Sequence, residues 1–179
     1  MRELASAGRV ERFLSALARS AHAAANVYLV GGASAVLLGW RGTTKDVDLK
    51  LVPDDDDLLR AIPRLKDELQ INVELAAPDQ FLPALPGWRE RSVFIRREEP
   101  LSFFHYDFYS QALAKIERGH TQDLEDAESM HAADLVAAER LLDLFNAIEP
   151  ELYKFPAVDA KDLRRRVEEW VSAHRRPSA

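Results

Sequence analysis

Cysteine is absent from this 179-residue chain. That excludes a disulfide scaffold, a cysteine-ligated zinc site, an iron–sulfur cluster and a thiol nucleophile together. Long apolar runs are also missing. None approaches the ~18–20 residues of a membrane-spanning helix, and the first residues lack a signal-peptide core. Positive charge is in short supply, with 24 Lys and Arg against 30 Asp and Glu and a formal charge of −6. A protein that grips a nucleic-acid backbone along a long track is basic, so only a local patch of that kind is left. What remains is 47% apolar and 30% charged, an ordinary globular composition. The length suits one domain that buries a core without staples. The expected location is cytoplasmic, with no membrane partner.

Val10, Phe13, Leu14 and Leu17 recur at i, i+3, i+4 and i+7, which predicts a helix within residues 3–24. Val27–Val30 is a β-prone run ending at Gly31-Gly32, and helix-forming residues follow over 33–40. Asp46–Val52 alternates polar and apolar without a break, as a half-buried strand does. The acidic residues Asp54–Asp57 open a helix running to Gln70, and Ile71–Leu75 alternates again. Residues 76–91, with Pro78, Pro83 and Pro86, read as an ordered loop, and 92–96 and 101–106 as a strand pair about Arg97–Pro100. Helices are predicted over 108–118, 121–131, 133–148 and 159–175, with Thr121 capping the second and Leu124 and Ala127 inward. This order predicts an α/β (α+β) fold, a mixed β-sheet flanked by helices, with a core over 1–110 and a helical C-terminal segment over 111–179 packed as one domain.

The chemistry concentrates in Gly31-Gly32 and, after thirteen intervening residues, Asp46-Val47-Asp48-Leu49. Residues i and i+2 of a strand share a face, so the two carboxylates stand roughly 7 Å apart along it. Like charges that close repel unless a cation stands between them, and Mg²⁺ (or Mn²⁺) takes carboxylates together with waters and phosphates. Glycines between a strand and a helix let main-chain N–H groups approach a phosphate, with Ser34 offering a hydroxyl. Glu74, in the second alternating strand, is the expected third carboxylate. In a two-metal arrangement the reaction is in-line displacement at phosphorus.

The run Gly31-Gly32 … Asp46-Val47-Asp48-Leu49 resembles the signature of the DNA polymerase β-like nucleotidyltransferases. The flanking Arg41-Gly42-Thr43-Thr44-Lys45 and the later Asp123-Leu124-Glu125-Asp126 resemble the AbiEii-like members, toxin components of toxin–antitoxin and phage-defence systems. The resemblance implies a nucleotidyltransferase fold, a nucleoside triphosphate such as ATP, and Mg²⁺ or Mn²⁺ held by Asp46, Asp48 and Glu74. It also implies transfer to a hydroxyl on RNA (tRNA) or protein, and a cognate toxin or antitoxin partner. It places Arg41, Thr44 and Lys115 at the nucleotide with Gly31, Gly32 and Ser34. Only about 50 residues follow Asp126, fewer than AbiEii-like toxins carry for the acceptor.

Two other readings belong beside this one: an antitoxin-like enzyme that modifies a partner protein, and a degenerate nucleotidyltransferase fold used for binding. Elsewhere, His105 reads as a strand-end hydrogen bonder. Arg164–Arg166 and Arg175-Arg176 read as solvated charge or RNA-phosphate contacts, and Trp40, Trp88 and Trp170 as core or loop anchors.

Overall fold

A computed structural model describes residues 3–175; Arg176 lies outside the described residues. The chain divides into two compact units. The first runs to Ala77 and takes in Ser92–Tyr106; the second comprises Pro78–Arg91 and the chain from Asp107 on. The proline-rich loop thus goes with the helices.

The first unit contains β1 (Ala5–Ser6), α1 (Ala7–Ser20), β2 (Ala25–Val30), α2 (Gly32–Leu37), β3 (Thr43–Thr44), β4 (Asp46–Val52), α3 (Asp56–Glu68) and β5 (Asn72–Leu75). The later segment of the unit adds β6 (Val93–Glu98) and β7 (Leu101–His105), and five strands form a mixed sheet in the order β5-β4-β2-β7-β6. β2 runs antiparallel to β4 and parallel to β7, and β4 runs parallel to β5. Alternation along β4 sends Val47, Leu49 and Leu51 to one face, where they join Val27, Leu29, Val73, Leu101 and Phe103. The apolar stripes of α1 (Val10, Phe13, Leu14, Leu17) and α3 (Leu58, Ala61, Ile62, Leu65) complete this core. Leu29, Leu49 and Phe103 are fully buried, so truncating any one to alanine costs about 2–5 kcal/mol. Asp55 starts α3 by accepting from the Leu58 N–H at 2.9 Å, which explains the acidic run there. Pro63 lies inside the helix without ending it.

The strand pair predicted around Arg97–Pro100 is β6 (Val93–Glu98) with β7 (Leu101–His105), so the turn is tighter than expected. The two-residue pair β1–β3, which pins Thr44 opposite Ala5, has no counterpart in the sequence reading.

The second unit holds a short helix α4 (Trp88–Arg91), then α5 (Phe108–Arg118), α6 (Thr121–Ala132), α7 (Ala138–Ile148) and α8 (Ala160–His174). Asp107 caps α5 and receives the Arg91 guanidinium through two nitrogens, at 3.0 and 2.8 Å. Gly119 ends α5 in the left-handed conformation, φ +69°. Three details differ from expectation. The helix expected over 133–148 begins only at Ala138. His120, not Thr121, occupies the cap position of α6, and Leu124 faces outward while Ala127 is buried. The Arg164–Arg166 run pairs with acids of its own unit: Arg164 with Glu149 and Glu168, Arg165 with Asp162 and Glu169, Arg166 with Asp162. None of the helices described is long and apolar enough to cross a membrane.

Candidate active site

The face of β4 opposite the core carries Asp46, Asp48 and Lys50, all half-buried. β5 lies beside it in parallel register, which sets Asn72 next to Asp46 and Glu74 next to Asp48. Adjacent strands are about 4.8 Å apart, so the Asp48 and Glu74 backbones are immediate neighbours on one face. Asn72 organises this group. Its side-chain amide donates to Asp46 Oδ1 at 2.6 Å and to Glu74 Oε1 at 3.3 Å. An amide has two N–H donors, so one side chain bridges two of the three carboxylates.

Among the described residues, no three His, Cys, Asp or Glu side chains close into a ready metal cage. The donors here are all oxygens on an open face. Mg²⁺ commonly keeps several waters and takes one or two carboxylates with substrate phosphate oxygens. The chemistry of the Asp46, Asp48 and Glu74 set fits that habit.

The glycine turn lies against these acids. Val30 is the register partner of Asp48. Gly31 has φ +61° and ψ −127°, a conformation open essentially to glycine alone. A Cβ on Gly31 would lie 3.5 Å from Asp48 Oδ2. Gly32 is glycine for a different reason. A Cβ there would overlap the Thr44 hydroxyl and stand 2.8 Å from Thr44 Cβ. Thr44 in turn donates to the Asp46 carbonyl at 2.9 Å, so the turn, Thr44 and β4 lock together. The Arg41 guanidinium lies 3.5 Å from the same Gly32 Cβ position.

Ser34 does not offer its hydroxyl outward. It is fully buried, donates to the Leu29 carbonyl at 3.2 Å, and lies 2.9 Å from His105 Nδ1. The hydroxyl expected at a phosphate thus makes its contacts inside the fold. His105 is itself buried, and burial pushes its pKa down to about 4. The ring is therefore neutral at pH 7.

Lys115 belongs to the second unit. Its ammonium lies 2.6 Å from Asp126 Oδ2 and 3.4 Å from Asp123 Oδ1, and all three side chains are buried. Arg118 Nε approaches Asp123 Oδ2 at 3.2 Å. The lysine and the acidic motif of α6 thus meet each other, and the lysine's charge is taken up by the two carboxylates.

Residues 9–175 match the family described as nucleotidyltransferases of unknown function, DUF6036. The chain belongs to that nucleotidyltransferase family. No curated protein and no solved structure matches the chain. The family relation covers nearly the whole length and supports nucleotidyl transfer in general. The narrower AbiEii likeness is not part of what it shows.

Two features of this nucleotidyltransferase escaped sequence reasoning. Asn72 shares the outward phase of its strand with Glu74, and that phase was the available signal for a contact with the carboxylates. The Ser34–His105 pair spans 71 positions and leaves no trace in local pattern.

Proposed function

We propose that this chain is a Mg²⁺-dependent (or Mn²⁺-dependent) nucleotidyltransferase moving a nucleotidyl group from a nucleoside triphosphate to a hydroxyl acceptor on RNA or protein. The single observation behind this is the register that lays Glu74 beside Asp48, with the Gly31 turn so near that a Cβ there would lie 3.5 Å from the same Asp48 carboxylate. In this reading Asp46, Asp48 and Glu74 hold the metal, which when bound neutralises their mutual repulsion and the charge of the triphosphate. Main-chain N–H groups of the Gly31-Gly32 turn and the Arg41 guanidinium bind phosphate oxygens. Thr44 keeps the turn in place. Glu74, the most exposed of the three acids, receives the acceptor's proton. The acceptor oxygen bonds to the α-phosphorus as the bond to pyrophosphate breaks, and pyrophosphate leaves.

The toxin–antitoxin or phage-defence setting rests on the Arg41–Asp48 string and the Asp123–Asp126 motif, which resemble AbiEii-like toxins. Incubation with each α-labelled NTP, MgCl₂, total RNA and cell extract tests the proposal. A labelled RNA or a labelled protein identifies the acceptor class, and no labelled species with any of the four NTPs contradicts the reading.

A further inference from the structure

We propose that His105 is a positioning residue for the nucleotide: through Ser34 it clamps the Gly31-Gly32 turn against Asp48 and so sets the affinity for the triphosphate. This rests on the nucleotide-transfer reading above.

The geometry begins at the sheet. His105 ends β7 directly opposite Leu29 in the parallel β2–β7 register. The Leu29 carbonyl accepts from the Tyr106 N–H at 2.8 Å, and it also accepts from the Ser34 hydroxyl at 3.2 Å. The second bond closes a loop from Leu29 to Ser34 around the two glycines. A hydroxyl carries one proton. With that proton given to Leu29, the 2.9 Å contact to His105 requires the ring to donate through Nδ1–H. The result is a buried chain, His105 to Ser34 to Leu29, reaching from β7 across the base of the turn.

The turn needs such a support. Gly31 holds φ +61° and ψ −127°, a sparsely populated conformation that persists only where the surroundings over-determine it. On one side Thr44 packs against Gly32; on the other, Ser34 and His105 tie the start of α2 to the sheet. Since Gly31 lies against Asp48, movement of the turn changes the spacing between phosphate-facing N–H groups and the metal-facing carboxylates. Misplacement of about 1 Å is enough to cost a site heavily. The pair is also mutually dependent, because removing His105 takes away the donor to the buried Ser34 hydroxyl and removing Ser34 takes away the acceptor of the Nδ1–H.

The test compares the intact chain with H105N, H105L and S34A. Asparagine returns an N–H near the Nδ1 position, whereas leucine keeps the bulk and removes the donor. Amide hydrogen exchange over Val30–Ala35 reads the turn independently of activity. Titration with ATP, GTP, CTP and UTP in MgCl₂ reads the site. H105L and S34A are expected to speed exchange in that segment by roughly ten-fold or more and to weaken binding of the preferred NTP by about ten-fold. Their KM should rise more than kcat falls, and H105N should stay within about three-fold of wild type. Unchanged exchange in H105L overturns the proposal, as does faster exchange with unaltered NTP affinity, or H105N as impaired as H105L. If H105L does not fold, S34A, which removes one oxygen from the middle of the chain, makes the same comparison. Wild type that binds none of the four NTPs contradicts the nucleotide-transfer reading and the affinity part of this proposal, while exchange separately decides whether the turn is clamped.

Discussion

The side-chain amide of Asn72 donates to Asp46 Oδ1 across 2.6 Å, from the strand position directly beside it. The same amide reaches Glu74. A neutral donor at this point eases the crowding of three acids without adding a fixed positive charge that would compete with a cation. Substituting N72D replaces it with a fourth carboxylate. The expected outcome is a folded protein whose labelling reaction needs several-fold less MgCl₂ for half-maximal rate, read from a metal titration, because the added negative charge draws the cation in. An unchanged metal requirement would show that Asn72 and the carboxylates do not act as one group.

Gly32 is held by shape. The variant G32A forces a methyl group into the Thr44 side chain, and overpacking of this kind costs about 1–3 kcal/mol. Because Thr44 Cβ itself lies 2.8 Å from the new atom, T44S does not relieve the clash. Urea unfolding of G32A and of G32A/T44S should give equally reduced stabilities. Full rescue by the serine, which keeps the hydroxyl and Cβ and removes only the methyl, would mean that the Thr44 methyl alone was in the way.

Much of this arrangement is legible in the sequence. Strict alternation over Asp46–Val52 gives the strand, its buried side and the shared face of its two acids, since period 2 reports burial directly. The span 108–118 is equally clear, bounded by Gly119. Other features are not legible for physical reasons. A two-residue strand pair such as β1–β3 is too short to show a period. Leu124 was expected inward, yet it faces outward on a helix whose buried side is largely Asp123, Asp126 and Ala127. Charged residues satisfied by Lys115 take the inward positions, and hydrophobic pattern reads such a helix wrongly. The bond between Ser34 and His105 depends on which strand β7 joins, a matter of topology rather than of neighbouring residues.

The Lys115 network gives a stability prediction. K115M leaves two buried carboxylates facing each other, and breaking a buried pair by removing one partner costs about 3–5 kcal/mol. The double variant K115M/D126L should recover part of that loss. Urea titrations of the two proteins make the comparison, and a K115M variant as stable as wild type would contradict the burial of the network.

His105 gives a pH prediction. Its folded pKa is about 4, against 6.5 for an unhindered imidazole. Between these values the unfolded chain takes up a proton that the folded chain refuses, so stability falls as pH is lowered from 6.5 towards 4. The full effect is roughly 3 kcal/mol, and none of it is present above the higher value. Urea unfolding of wild type and H105N between neutral pH and pH 4.5 should diverge, with wild type losing more. Parallel curves would show that burial of this ring is not what the pH acts on.

The most direct measurement of the central claim uses α-labelled NTP, MgCl₂ and cell extract with wild type and the double variant D46N/D48N. Circular dichroism is recorded on both proteins. The account predicts that wild type labels an acceptor, and that the folded double variant loses about a hundred-fold or more of that rate. Equal labelling by a folded D46N/D48N protein would contradict it.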